Sequence, residues 1–299
     1  MLKKIFSILF VFLSINFLFA ENESEKFWSL LNQGKYEEVE AFLAEWEEKS
    51  PTNPELFVSY FNYLISKSMN EQMHVETSLP PNFNGQYFQG KNENGDVMYI
   101  FSVIEYDDEL CAKAFEYIDK GISYNPTRLD MHFGKAELYS MRGEYANQLR
   151  VLQGIVELNK EYGSKWLWTD NKSINDFEGL DFENSIHDYI SQWLNSRTFE
   201  AITCAKELSL FCVDRLSNLS VFYNNAAVSC LYLGDLISAK NYFELGYKND
   251  TSDMLVLLNL GFVCKELGEI EEAKKYYKIV EGCSDSYYSD LAKQRLSDF

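Results

Sequence analysis

Thirty-four residues after Val221–Tyr247, the segment Leu255–Glu281 repeats the same pattern. Asn225 matches Asn259, Cys230 matches Cys264, and Leu233-Gly234 matches Leu267-Gly268. Ala239-Lys240 matches Ala273-Lys274, Tyr242 matches Tyr276, and Ala227/Gly261, Leu236/Ile270 and Phe243/Tyr277 are conservative pairs. A fixed period of this size constrains the fold strongly, because each unit must bury its apolar face against the next. Each unit reads as two amphipathic helices around a tight turn at Leu-Gly-Asp or Leu-Gly-Glu. Gly234 and Gly268 end the first helix, since glycine takes the left-handed conformation without a Cβ clash. Ala239 and Ala273 are small enough to let the two helices approach closely. Overpacking either with Trp is expected to destabilise the fold, whereas Lys240 and Lys274 are expected to be exposed and replaceable by Ala at little cost. Composition agrees with helices: 15 Gly and 5 Pro in 299 residues are too few for a turn-dense β fold.

The pattern resembles the tetratricopeptide repeat (TPR) family, whose 34-residue unit places small residues and a turn Gly in the first half, then Ala and an aromatic. The last repeat carries Leu257, Leu260-Gly261, Gly268, Ala273 and Tyr277; the one before carries Tyr223, Ala226-Ala227, Gly234, Ala239 and Phe243. Cys230 and Cys264 stand where the family has a first-helix aromatic, and the closing Pro is absent from both. The resemblance implies an all-α fold, a right-handed α-solenoid of helix pairs. Earlier units are more degenerate. Gly34–Glu38 with Leu43, Trp46 and Pro51 fit the turn and second helix of a first unit. Pro54–Met69 fits the first helix of a second unit, whose partner arrives late at Asp107–Tyr124. A third unit starts at Arg128 and includes Ala136, Tyr139, Gly143 and Leu152; a fourth, Phe177–Cys212, lacks the turn Gly. Tyr287–Leu296 reads as a terminal cap, which a repeat array needs to hide its last apolar face. The division expected is 21–69 for degenerate helices, 70–106 for an insertion, 107–160 for TPR-like repeats, 161–216 for an irregular segment and degenerate repeat, and 217–299 for the C-terminal repeats and cap.

Two segments break the period. Asn70–Tyr106 has Asn94-Gly95 between aromatic and β-branched flanks, which predicts a small inserted β-hairpin. It reads as a flap packed on the array or as a ligand lid. Lys160–Asn175 holds Trp166 and Trp168, either a plug where stacking is interrupted or an aromatic platform.

The N-terminus reads as an address. Lys3 and Lys4 precede the apolar run Ile5–Phe19, and Ala20 precedes the acidic stretch Glu21–Glu25. This is the three-part pattern of a secretory signal peptide, residues 1–20, although Leu18 stands where a small residue is usual before the cut. The expectation is an exported protein, periplasmic or secreted, with no stable membrane insertion after cleavage; the runner-up is anchoring through an uncleaved N-terminus. The chain has 27 basic and 46 acidic residues, a formal charge of −19, and loss of Lys3 and Lys4 makes it −21. That balance excludes nucleic acid as a partner, because phosphate neutralisation needs clustered Lys and Arg. The six cysteines fall into no CxxC or zinc spacing, and His74, His132 and His187 have no Cys or His at short ligand spacing. Neither a metal nor a cofactor is expected.

No G-x-S-x-G elbow, H-E-x-x-H or P-loop occurs. Asp107-Asp108 and Glu271-Glu272 are adjacent on helices and point apart, so neither forms a dyad. The chain is expected not to be an enzyme. The TPR resemblance implies a scaffold or adaptor that binds a protein or peptide on the concave face lined by first helices. Carried onto this chain, the partner-binding positions are Phe133, Glu137, Asn224, Val228, Leu231, Leu258, Phe262 and Lys265. The family's charged clamp for a peptide C-terminus is missing, with Phe133, Val221, Leu255 and Leu258 in its places. Val228 and Phe262 are repeat equivalents, which predicts an apolar groove unless another helix fills it. Asn225 and Asn259 are expected to bond internally. Alternatives are a carrier of an apolar or aromatic small ligand, using Trp166, Trp168 and the hairpin as a lid, and a cell-envelope hydrolase with an unrecognised site.

Overall fold

The computed structural model describes residues 22–80, 83, 85–217 and 219–299. The expected signal peptide lies outside the described residues. No helix among the described residues is long and apolar enough to cross a membrane.

The chain is a TPR-like array of helix pairs. The pairs are α1 (Glu23–Asn32) with α2 (Tyr36–Lys49), α3 (Pro54–Ser68) with α4 (Asp108–Tyr124), and α5 (Leu129–Met141) with α6 (Tyr145–Tyr162). They continue as α7 (Phe182–Ser196) with α8 (Phe199–Val213), α9 (Leu219–Tyr232) with α10 (Leu236–Asn249), and α11 (Met254–Glu266) with α12 (Ile270–Glu281). Helix α13 (Ser286–Leu296) closes the end. Acidic or amide side chains start many of these helices: Asn22, Asn53, Asp107, Asp181, Asp235, Asp253 and Asp285 each accept a hydrogen bond from a backbone N–H of the first turn.

The turn geometry explains both the clear and the obscure repeats. Gly34, Gly143, Gly234 and Gly268 all sit at φ between 69° and 79° at the bend between paired helices. In the fourth unit Arg197 takes that place with φ 55°, and its guanidinium lies 5.4 Å from the Tyr232 ring. The missing glycine therefore hid a turn of the same kind.

The insertion is larger than the expected hairpin. It is a three-stranded antiparallel sheet of β1 (Met69–Glu76), β2 (Tyr87–Lys91) and β3 (Val97–Tyr106), in the order β1-β3-β2. The hairpin turn is where the sequence placed it: Gly95 has φ 87°, and the Asn92 side chain accepts from the Asn94 and Asp96 amides. Strand β1 leaves α3 directly and β3 returns beside it, with Met69 opposite Tyr106 and Asp107 N donating to Ser68 O at 2.9 Å. The insertion thus leaves and re-enters at one neck, so α3 and α4 pack as though contiguous.

The core runs as a series of clusters. One joins α1–α4 and takes Met131 and Leu138 from α5; the next joins α5–α8 and takes Phe222 from α9; a third spans α9–α12. A small fourth cluster, Leu257, Val280 and Ala292, seats the cap. Helices α5 and α9 are therefore apolar on two sides, as expected of a helix buried between neighbours. Ala239 and Ala273 are fully buried, and a Cβ on Gly261 would come within 2.7 Å of the Tyr277 ring. Lys240 corrects an expectation: it is not a free surface lysine, since it pairs with Glu269 and Glu272 of the next unit. Its repeat equivalent Lys274 pairs with Glu271 one turn away and lies 5.4 Å from the Phe299 ring.

Trp166 is fully buried, donates Nε1–H to Asn159 Oδ1 at 2.9 Å, and packs edge-on against His132 and Tyr162. It is the plug. The loop that carries it is tied to the array by Arg128, whose buried guanidinium pairs with Glu55 and Asp130 and donates to Asn171. Burial opposes the Arg128 charge, but these carboxylates outweigh it and push its pKa up.

Candidate partner-binding face

The first helices α7, α9 and α11 are joined by a polar ladder. Asn225, buried, donates its amide to His187 Nδ1 at 2.8 Å, and His187 Nε2 lies 3.4 Å from Ser191 Oγ. Asn259 donates to Asn224 Oδ1 at 3.1 Å. The internal role expected for Asn225 and Asn259 is what the geometry displays. Asn224, read from the sequence as a partner contact, spends its carbonyl on Asn259.

Beside this ladder lie the apolar positions. Val228 and Leu231 on α9 and Leu258 on α11 are half-buried against the last large cluster. Phe262, on α11, is 38 % exposed. Lys265, one turn beyond Phe262, reaches Asp298 at 3.4 Å and sits 5.0 Å from the Phe299 ring, so the final residues share that end of the face.

The α5 positions differ. Phe133 is only 6 % exposed, with its ring 5.5 Å from Tyr189 and 6.3 Å from Trp168. Trp168 and Tyr189 cover it, so this ring is core and is not offered to a partner. Glu137, one turn on, is half-buried, and burial raises its carboxyl pKa with no compensating cation. Of the eight positions, six lie on α9 and α11, Glu137 is a separate acidic position on α5, and Phe133 is core. Cross-repeat bonds such as Asn225–His187 escaped the sequence reading because α7 belongs to the unit without a turn Gly.

Ser191, His187 and Asn225 are in line, with His187 Nε2 3.4 Å from Ser191 Oγ and Nδ1 2.8 Å from the Asn225 amide nitrogen. The cysteines are free, and burial pushes the thiols of Cys204 up to about 11 and of Cys212 and Cys264 up to about 12. Such thiols stay protonated at neutral pH and are poor nucleophiles. Cys264, Glu269 and Glu272 cluster at metal-ligand spacing, but the Lys240 ammonium pairs with both carboxylates. Two open surface clefts lie elsewhere: one of about 480 Å³ on α12, and one of about 350 Å³ beside His74 and Phe101.

No family model matches the chain, and no curated protein matches it. Among solved structures, one described as a functional characterisation of Pseudomonas aeruginosa pilF is 13% identical with a TM-score of 0.28, covering 92% of this chain and 82% of that one. A human IFIT1 dimer with PPP-AAAA is 12% identical with a TM-score of 0.31, over 90% of this chain and 51% of that one. A monomeric IFIT1 mutant with m7Gppp-AAAA is 11% identical with a TM-score of 0.33 over the same shares. This chain spans about half the length of the IFIT1 chains. No property of those proteins is carried to this one.

Proposed function

We infer that this chain is an exported, non-catalytic scaffold that binds a protein or peptide through the α9–α11 face, centred on Val228, Leu231, Leu258 and Phe262. The observation that carries this reading is Phe262. A large aromatic ring stands out from α11 one turn past half-buried Leu258, and the Asn259–Asn224 hydrogen bond ties α11 to α9, which carries half-buried Val228 and Leu231. Aromatic anchors within an apolar patch supply most of the binding energy of a protein interface. The acidic composition and the protonated thiols favour binding over catalysis, and the burial of Trp166 removes the platform a small-ligand carrier would use.

The test is Phe262→Asp, with partner capture from the envelope fraction, mass spectrometry and a thermal melt on the same protein. A charge in a desolvated contact costs roughly 2–4 kcal/mol of binding, so capture is expected to fall by tenfold or more. Melting is expected to stay unchanged. Retained capture would overturn the reading, and a lowered melting point would place Phe262 in the core. Export has its own measurement: the native protein is expected to begin at Glu21, and an intact Met1 in a membrane pellet would mean an anchor.

A further inference from the structure

One face of the inserted sheet has no covering element among the described residues. Val75 pairs with Ile100, and Ile100 with Phe88, so the three form a row across β1, β3 and β2. Alternation along the strands puts Met73 and Ile104 on the same side. Met73 is 76 % and Phe88 77 % exposed, and Val75, Ile100 and Ile104 are exposed as well. The opposite face is covered at its middle, where Phe101 is buried with the rings of His74 at 5.5 Å and Phe83 at 5.0 Å. The five exposed side chains present on the order of 600 Å², the upper end of apolar patches on monomers and a size often tied to function.

Charge distinguishes the possible occupants. The insertion and its neck carry Glu71, Glu76, Glu93, Asp96, Glu105 and Asp107 against one cation, Lys91. Lys91 pairs with Val97 and so points to the covered side. On the open face the charge is Glu71, opposite Ile104. At its base stands Tyr106, two residues past Ile104 and opposite Met69. Two copies packed face to face would bury about 1,200 Å², the bottom of the range for a stable interface. They would also oppose two acidic rims in molecules of net charge −19. A lipid surface would find no Lys or Arg on this face to hold its headgroups.

We propose that the open face of the β1-β3-β2 sheet docks a protein segment with alternating apolar side chains and flanking Lys or Arg, the apolar groups lying on Met73, Phe88 and Ile100 and a cation meeting Glu71. This surface is separate from the α9–α11 face and does not depend on it.

The probe is a fluorescent peptide alternating valine and threonine with two lysines at each end, alongside a counterpart with glutamates at the ends, titrated into the mature chain and read by anisotropy. The lysine peptide is expected to bind at least tenfold more tightly. Phe88→Ser with Ile100→Ser should weaken it tenfold or more. Glu71→Gln should weaken it severalfold and flatten its salt dependence, while Phe262→Asp leaves it unchanged. Circular dichroism checks each fold, and Met73→Ser replaces the double variant if that one is unfolded. Several results overturn the proposal: no binding of either peptide, equal binding of both, or binding indifferent to Phe88 and Met73. So do a wild-type dimer that Phe88→Ser dissociates in sedimentation, and flotation with neutral vesicles that Phe88→Ser abolishes.

Discussion

At Gly234 the backbone holds φ at 78°, while Gly154 lies inside α6 with open space where a Cβ would go. The same substitution should therefore have opposite signs. Gly234→Ala forces a Cβ into the left-handed region and is expected to destabilise by about 1 kcal/mol. Gly154→Ala removes helix-interior backbone entropy and is expected to stabilise by about 0.5–1 kcal/mol. Urea melts of the two variants check this, and matching signs would contradict the turn assignment. His132 gives a second residue-level outcome. Its ring is buried beside Trp166, Nε2 lies 3.0 Å from the Pro126 carbonyl oxygen, and burial lowers its pKa. The unfolded chain therefore takes up this proton first. Its contribution is intact above the ordinary histidine pKa of about 6.5 and is lost as pH falls below it. Melting followed by Trp fluorescence between pH 7.5 and 5.5 should fall more for the wild type than for His132→Gln; equal falls would remove His132 from the account.

Elements are coupled by a few long polar side chains, and these were the least legible. Lys240 reaches from α10 to Glu269 and Glu272 of the next unit, and those carboxylates in turn raise its pKa. Lys240→Ala is expected to cost about 1 kcal/mol, because it leaves carboxylates clustered without their cation. Lys274→Ala, which breaks an exposed intrahelical pair and a long contact with the Phe299 ring, should cost less than about 0.5 kcal/mol. Equal urea midpoints for the two variants would show that the cross-repeat pair contributes nothing. The period revealed the helices because turn glycines and buried alanines recur at fixed spacing, and Val228 and Phe262 followed from that register. It could not reveal Arg128, whose partners Glu55, Asp130 and Asn171 come from α3, α5 and an irregular loop. Nor could it reveal that Phe133 is covered, since its cover includes Trp168 from the same loop. Strand β1, Met69–Glu76, was missed for another reason. Its polar residues alternate with Met73 and Val75, and those two are exposed, so no buried stripe marks it.

The succession of clusters, each joined to the next through a shared helix, makes the molecule quasi-one-dimensional in its energetics. Damage at one end should then stay near that end. Helix α13 covers Leu257 and Val280 with Ala292, and Ser289 Oγ donates to the Glu281 carbonyl at 2.7 Å. Residues beyond it place Phe299 6.2 Å from the Tyr277 ring. Deleting residues 285–299 re-exposes this apolar surface, at a cost of roughly 2–4 kcal/mol by area. In one all-or-none unit that loss would lower amide protection everywhere by the same factor. In a repeat array it should fall on α11 and α12, weaken through α9 and α10, and leave α3 and α4 unchanged, because those helices share no cluster with the cap. Hydrogen exchange on the full and truncated chains measures the gradient directly. A uniform loss of protection from α3 to α12 would show that the inserted sheet, the Trp166 plug and the Arg128 network have fused the repeats into one cooperative body.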